Sequence, residues 1–392
     1  AGLLREATRW AERFEKPLMA GLAAHLIDRS ADRVLRVGYV SADFREHPVG
    51  RFLLPLLRHH NPQCVQAFCY SNAIRADEMT ARLKKAATAW RETAALSDAD
   101  FSRVIRDDRI DILVDLSSHT AGNRLRVFAQ KPAPVQITWL GYPGTTGLAG
   151  IDYRLTDPYL DPFGQNDGVY TEKSIRLPNC FWCYEGPENG PPVGDLPASK
   201  SHYITFGCLN HFTKVSAGVL DLWARLLAEI PSSRLMIHTH RDNHRKLALR
   251  RFADAGVAAD RITFVGRKSI DSYFAAYDQI DVALDPFPYG GGATTCDALW
   301  MGVPTITLRG RTAVGRGGAS LLSNVGLPQF IAADLDEYIA IAKTTAGDTE
   351  SLRHLRGNLR ARMLQSPLMD AEQFARDMEA AFRTAWLRFI SA

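Results

Sequence analysis

The sequence predicts an α/β protein of two Rossmann-like domains whose parallel sheets face a cleft. Strand-like and helix-like segments alternate in two series, and a segment rich in proline and glycine separates the two series. Such alternation favours parallel sheets covered by helices on both faces. The length of 392 residues also suits two domains better than one. Because such sheets bind ligands at the carboxyl ends of their strands, we expect functional residues there.

The first 184 residues are predicted to hold a helical segment and the first domain. Apolar side chains recur at helical spacing over residues 3–28, so residues 1–30 are predicted to be helical and could end an upstream helical region. The first domain is predicted over residues 31–184, with strands at 35–40, 65–70, 110–116, 136–140 and 153–156 and helices at 51–58 and 76–86.

Residues 185–201 contain more proline and glycine than a strand or helix tolerates, which predicts a linker. A final amphipathic helix is predicted over 371–390, within the C-terminal segment 371–392, and is expected by analogy with proteins of this architecture to return to the first domain. The second domain is predicted over 202–370, with strands at 203–208, 234–238, 262–265, 282–284 and 305–308 and helices near 216–229, 242–255, 270–278, 295–301 and 316–325.

The composition argues against several classes of protein. A net charge of +4 spread over mixed signs is too small for a nucleic-acid-binding surface. The sequence lacks an 18-residue apolar run and an N-terminal secretory signal, which argues against a membrane partner. Six scattered cysteines do not form the dense framework of small secreted domains, so we expect reduced thiols and a cytoplasmic location.

The segment from Asp285 to Asp297 carries the richest chemical pattern. A predicted strand ends at Asp285, three glycines follow, and Ala293, Thr294 and Thr295 open a predicted helix. Glycines let the backbone approach a ligand closely, and a helix N-terminus offers N–H groups to an anion. Asp297, one turn into the helix, is placed to accept from a ribose hydroxyl. A tight turn with a threonine cap is the alternative interpretation.

Three other candidates follow predicted strand ends. Lys214 lies between the first strand and first helix of the second domain, where a lysine can pair with a diphosphate. His47 and His119 follow strands of the first domain, where a histidine can act as a general base or bind a sugar. Each could instead be an ordinary surface side chain.

Two patterns resemble metal or redox sites. His238 and His240, with His244 nearby, lack the carboxylate and supporting partners of a metal site, which favours a strand-end turn. Cys180 and Cys183 form a lone CxxC without a second pair, which favours two small packed residues. We therefore expect no metal and no other cofactor.

Four segments resemble the protein O-GlcNAc transferases and their relatives, glycosyltransferase family 41. The most distinctive reads Pro132-Ala-Pro-Val-Gln-Ile-Thr-Trp-Leu-Gly-Tyr-Pro-Gly-Thr145, and the others lie at 35–48, 209–214 and 291–302. The resemblance implies a GT-B fold, UDP-N-acetylglucosamine as donor and protein Ser/Thr hydroxyls as acceptors. It also implies inversion at the sugar carbon without a metal.

The resemblance also implies roles for individual residues. Lys214 would neutralise the leaving diphosphate, His47 would face the sugar or acceptor, and Gly141 would border the sugar pocket, for which His119 is a second candidate. The backbone of Lys268 would lie near the uracil edge. The other predicted donor-binding residues are His211 near the phosphates, Tyr273 stacked on the uracil ring, and Gly291, Gly292, Ala293, Thr294, Thr295 and Asp297.

The sequence departs from the animal members of this family. Gly292, Ala293 and Thr294 stand where those enzymes have His-Thr-Thr, so backbone N–H groups and Thr295 must supply more of the contacts. The long insertion between the catalytic halves is missing, and the sequence does not include the helical repeats that usually precede the transferase and recruit acceptors.

Several functions stay open alongside the leading one, a protein Ser/Thr transferase of N-acetylglucosamine. Some relatives attach glucose to Asn and others attach fucose to Ser/Thr, and a panel of donors separates these. A UDP-sugar epimerase would form product without a protein acceptor. A nucleotide-sugar-binding scaffold would bind UDP without turnover.

Overall fold

A computed structural model of the chain describes residues 2–19, 25, 28–188, 190–266 and 269–392. The chain divides into two compact units, one made of Ala1–Glu185 with Asp370–Ala392 and the other of Gly186–Met369. Each unit contains one wholly parallel sheet with helices, which confirms the predicted class of two parallel α/β domains. Along the described ranges, no helix combines the length and apolar character that crossing a bilayer requires.

The first unit contains a seven-stranded sheet in the order β3-β2-β1-β4-β5-β6-β7. Central strands β4 and β5 are buried along their whole length, as expected when helices cover both faces. The strands are β1 Leu35–Ser41, β2 Val65–Ser71, β3 Ala89–Glu92, β4 Ile112–Asp115, β5 Val135–Thr138, β6 Tyr153–Thr156 and β7 Lys173–Arg176. The helices are α1 Gly2–Phe14, α2 Lys16–Met19, α3 Pro48–His59, α4 Glu78–Ala86, α5 Asp98–Asp107, α6 Leu125–Phe128 and α15 Ala371–Ile390.

The second unit contains a six-stranded sheet in the order β10-β9-β8-β11-β12-β13. Its strands are β8 Thr205–Cys208, β9 Arg234–His238, β10 Ile262–Val265, β11 Val282–Leu284, β12 Thr305–Leu308 and β13 Ile331–Ala332. Its helices are α7 Ala198–Ser201, α8 Ala217–Glu229, α9 Asp242–Asp254, α10 Ile270–Ala275, α11 Ala293–Trp300, α12 Gly317–Asn324, α13 Leu335–Gly347 and α14 Thr349–Leu364.

The segment predicted as a linker is bound to the second unit rather than free. Arg356 Nε donates to Gly194 O at 2.8 Å, and Arg360 Nη2 donates to Pro191 O at 2.8 Å. A Cβ at Gly186 would lie 2.6 Å from the ring of Trp300, so the backbone lies directly on that indole. Proline and glycine here permit close packing of irregular backbone, and the helix Ala198–Ser201 ends the segment.

Both chain ends pack on the first unit. Helix α15 lies against α3, where Glu379 Oε1 accepts from Asn61 N and pairs with His60 Nδ1 at 2.9 Å. Near the N-terminus, the buried carboxylate of Glu15 accepts from the N–H groups of Ala149 and Gly150. Part of the helix predicted over residues 1–30, namely residues 1, 20–24 and 26–27, lies outside the described residues.

Candidate active site

The Gly-rich segment of the second unit links the end of β11 to the start of α11. Gly292 is the N-cap of α11, and no side chain caps this helix, so backbone N–H groups of the first turn lack a side-chain acceptor. A Cβ at Gly291 would lie 2.5 Å from Thr295 Oγ1, so only glycine fits here. This arrangement suits an anion at the helix N-terminus.

Lys214 reaches the same loop from the short helix that follows β8. Its Nζ donates to Gly290 O at 2.8 Å and lies 4.0 Å from the centroid of the Tyr289 ring. Burial lowers the pKa of Lys214, while the carboxylate of Asp285 acts in the opposite direction. The structure thus brings a desolvated cation to the loop, as the sequence predicts.

The carboxylate of Asp285 fixes the Gly-rich loop by a hydrogen bond. Its Oδ1 accepts from Gly291 N at 2.6 Å, and its Oδ2 accepts from Thr307 Oγ1 at 2.8 Å. Burial raises the pKa of Asp285 to about 6, and the two hydrogen bonds and Lys214 oppose that rise. From the sequence alone, Asp285 marks only a strand end, and this role depends on contacts that the sequence pattern does not show.

The first turn of α11 is joined to the loop after β8 through Asn210, a contact that no sequence motif indicated. Thr294 Oγ1 donates to Asn210 Oδ1 at 2.6 Å. Thr295 is buried, and its N–H donates to Gly292 O within the first turn of α11. The contact of Thr295 with the donor stays a prediction.

Tyr273 and Asp297, predicted to contact the base and the ribose, contact each other. Tyr273 OH donates to Asp297 Oδ2 at 3.0 Å, and Asp297 is almost completely buried. Tyr277 OH donates to Thr294 O, which ties the same cluster to α11. The Asp297 carboxylate thus holds the Tyr273 side chain in place, and the contacts of both residues with the donor stay a prediction.

His211 is exposed and caps the short helix that carries Lys214, with its Nδ1 2.8 Å from Thr213 Oγ1. Gly292 and Thr294 are half-buried, whereas Gly291 and Ala293 are buried. These residues therefore gather at the carboxyl ends of β8 and β11, where the sequence predicts them. Lys268 lies outside the described residues.

The first unit has a groove of about 1030 Å³ at the carboxyl ends of β1, β2, β3 and β4. Residues of the loops after these strands line it, together with Trp10 of α1, Asp98 of α5 and Arg126 of α6. Its floor is hydrogen-bonded, since Asn72 Nδ2 donates to Gly122 O and Arg124 Nε donates to Asn72 Oδ1. His47 is among the lining residues.

His47 is the N-cap of α3. Its Nδ1 accepts from Val49 N at 3.3 Å and lies 3.7 Å from Asp43 Oδ2. Burial lowers the pKa of His47, Asp43 raises it, and Arg45 lowers it. Because Nδ1 is the acceptor of this cap, the neutral imidazole carries its proton on Nε2 and presents a donor.

His119 and Gly141 have structural partners in the first unit. The Nε2 of His119 lies 2.7 Å from Thr146 O, and its ring packs edge-on against Trp10. A Cβ at Gly141 would lie 2.5 Å from Leu116 O, so close packing on the backbone after β4 accounts for this glycine.

The pattern described as Glycosyl transferase family 41 matches residues 22–186 and 195–378 of the chain. The chain belongs to glycosyltransferase family 41. The match covers most of both units, including Lys214 and His47.

Relatives agree with membership of family 41. The chain is 38% identical over 388 residues to a probable UDP-N-acetylglucosamine–peptide N-acetylglucosaminyltransferase SPINDLY of Hordeum vulgare, covering 97% of this chain and 41% of that protein. It thus spans about two fifths of the length of such curated relatives. A mutant of Thermobaculum terrenum O-GlcNAc transferase superposes with a TM-score of 0.92 at 37% identity, covering 98% of this chain and 74% of that one.

The predicted GT-B fold is confirmed. Besides its family 41 match, the chain resembles the lipopolysaccharide outer core galactosyltransferase WaaB in fold, with a TM-score of 0.57 at 13% identity, covering 89% of this chain and 99% of that one.

Among the described residues, no group of three or more His, Cys, Asp or Glu side chains could hold a metal ion. Cys180 and Cys183 are both buried free thiols.

Proposed function

We propose that the chain is an inverting glycosyltransferase that moves N-acetylglucosamine from UDP-N-acetylglucosamine to Ser/Thr hydroxyls of proteins. The observation that carries the proposal is the meeting of Lys214, the Gly290–Gly292 loop and the uncapped N-terminus of α11. The names of its relatives, which describe transfer of N-acetylglucosamine to peptides, agree with it.

Lys214 acts on the leaving group in this proposal. As the sugar–phosphate bond breaks, negative charge grows on the β-phosphate. A fixed ammonium group and backbone N–H groups stabilise that charge more in the transition state than in the ground state. The acceptor oxygen attacks the sugar carbon from the opposite side, the configuration of that carbon inverts, and the hydroxyl proton passes to water.

His47 acts as a hydrogen-bond donor to the sugar or the acceptor rather than as the base. The cap from Val49 N–H supports this assignment, because a base needs an unprotonated Nε2. Asp43 Oδ2, at 3.7 Å from Nδ1, is farther away than the cap and does not hold the opposite tautomer.

Replacing His47 with Asn tests this role. Asn is a good N-cap, so the His47→Asn enzyme is expected to keep its melting temperature and its UDP affinity. Transfer is expected to fall by about tenfold, the effect of losing one hydrogen bond. His59→Ala, at the other end of α3, is the matched control and should transfer at the wild-type rate. A loss near a thousandfold, together with loss of the acid limb of the pH profile, would instead identify His47 as the base.

Catalysis is proposed to need no divalent metal and no other cofactor. Lys214 and the N-terminus of α11 supply the positive charge that a metal would otherwise bring. Transfer after dialysis against EDTA should equal that of the untreated enzyme. Activity that disappears with EDTA and returns with manganese would contradict this proposal.

A panel of donors identifies the sugar that is transferred. The chain is incubated with UDP-N-acetylglucosamine, UDP-glucose or GDP-fucose, each with and without acceptor peptides. The released nucleotide and the modified peptide are then measured. Release of UDP with N-acetylglucosamine attached to Ser or Thr is the expected result. Glucose on Asn or fucose on Ser/Thr would assign another activity of the family. UDP-sugar conversion without an acceptor would indicate an epimerase, and binding without turnover a scaffold.

We further propose a cytoplasmic location, supported by the free thiols of the described cysteines. Helical repeats ahead of the transferase region are proposed to recruit acceptors. No nucleic acid or membrane partner is proposed.

A further inference from the structure

We propose that the Ile74–Arg75 loop selects acceptor polypeptides that carry an acidic side chain close to the reacting hydroxyl. This inference rests on the proposed function and concerns the groove of the first unit. The groove, at about 1030 Å³, is larger than one Ser or Thr side chain needs, so it has room for neighbouring residues of an acceptor.

The charged side chains lining the groove carry an excess of positive charge. Four are arginines and two are aspartates. Arg45 pairs with Asp43 at 2.8 Å and Arg124 pairs with Asp98 at 3.0 Å, so these two arginines are neutralised.

Two arginines supply the remaining positive charge. Arg126 is 3.6 Å from the already paired Asp98, and its side chain is 60% exposed. Arg75 is exposed and makes no hydrogen bond or ion pair within the described part of the chain. An unpaired guanidinium matches the two oxygens of a carboxylate.

The residue beside Arg75 is also available for contact. Ile74 is 93% exposed, although it lies between the buried end of β2 and the capping residue of α4. Both side chains line the groove, so an apolar contact and a cation are offered next to each other. His47 lines the same groove, which places this pair in the cavity that holds a residue assigned to the reaction.

The hydrogen-bonded floor keeps the loop in position. Asn72 begins the segment that carries Ile74 and Arg75, and its side chain joins Gly122 O to Arg124 Nε. Gly122 is in the left-handed region, and a Cβ there would lie 2.8 Å from Ala42 Cβ. Arg75 takes no part in these hydrogen bonds. A charge change at Arg75 therefore leaves them intact and is not expected to impair folding.

The test uses four fluorescent peptides that differ at one position near a single Ser: Asp, Asn, Lys or phosphoserine. Binding to the full chain is measured without donor, and transfer is measured with donor. The wild-type chain should favour Asp over Lys by about five- to tenfold, and high salt should reduce this preference. Arg75→Glu should reverse the preference, whereas Lys84→Glu, an exposed charge change on α4, should leave it unchanged.

Equal binding of all four peptides, or a preference unaffected by Arg75→Glu, would overturn the inference even if sugar is transferred. A preference for phosphoserine with none for Asp would also overturn it, because the proposed ligand is a carboxylate. A charge preference in binding with no transfer from any donor would support the inference and reject the proposed function.

Discussion

Lys214→Ala should lower the rate of sugar transfer by about a hundredfold or more at saturating donor. The substitution removes the cation that lies 2.8 Å from Gly290 O, where the proposed leaving diphosphate binds. Donor affinity should weaken as well, since the charge also contacts the ground state. Single-turnover transfer at saturating donor is the measurement, because it separates chemistry from binding.

Companion variants separate charge from packing. Lys214→Met keeps most of the side-chain length above the Tyr289 ring, so it should fold like the wild type and still lose transfer. Lys214→Arg should restore little activity, because a planar guanidinium does not fit where a compact ammonium is enclosed. Lys246→Met changes an exposed lysine of α9 and should have no effect. A Lys214→Ala enzyme with the wild-type single-turnover rate would reduce Lys214 to a structural contact.

Replacing Asp285 is expected to have the second largest effect. Asp285→Ala leaves the N–H of Gly291 and the hydroxyl of Thr307 without their acceptor. Each buried donor without a partner costs about 1–3 kcal/mol, so the ordered loop should be lost and donor affinity should fall by about ten- to hundredfold. Calorimetric binding of UDP to the variant and the wild type measures this loss.

The pH dependence of Asp285→Asn distinguishes positioning from folding. The pKa of Asp285 is raised to about 6, so the wild-type carboxylate gains a proton below that pH. Transfer should therefore rise with pH through about 6, and Asn should remove this contribution. Because Asp285 raises the pKa of Lys214, Asn should also shift the alkaline limb to lower pH.

The contribution of Asp285 to folding stability changes with pH in the opposite direction to its contribution to transfer. A carboxyl whose folded-state pKa is raised stabilises the fold at low pH, and this contribution is lost as pH rises through about 6. Asp285→Asn should therefore not lower the melting temperature at neutral pH.

Asp281, at the other end of β11, is the matched control: it is buried and accepts from Thr205 N and Ala198 N. A pH profile that changes equally in Asp281→Asn would contradict the positioning role.

Strong periodicity allowed much of the fold to be predicted. The strands at Arg234–His238, Ile262–Val265 and Val282–Leu284 and the last helix, Ala371–Ile390, have the predicted bounds. The edge strand Ala89–Glu92 was missed because it is short and half-exposed, so it lacks an apolar run. Helix Thr349–Leu364 was missed because it is rich in charged residues.

The candidate site was predictable as segments but not as side-chain contacts. The glycines and the predicted strand ends correctly indicated that Lys214 lies at the loop before α11, because neighbouring parallel strands end at the same edge of the sheet. Which face of α11 is buried depends on packing against other elements, so the inward position of Thr295 and the contact between Asp297 and Tyr273 could not be predicted. The N-cap that sets the tautomer of His47 likewise depends on backbone geometry.

Site-resolved mass spectrometry of an acceptor peptide most directly tests the central claim that the chain transfers N-acetylglucosamine to protein hydroxyls. A peptide with a single Ser is incubated with UDP-N-acetylglucosamine and the wild-type or Lys214→Met chain, and the modified residue is located by fragmentation. We expect N-acetylglucosamine on that Ser with the wild type and almost none with Lys214→Met. An unmodified peptide with the wild type, or equal modification by both chains, would reject this activity.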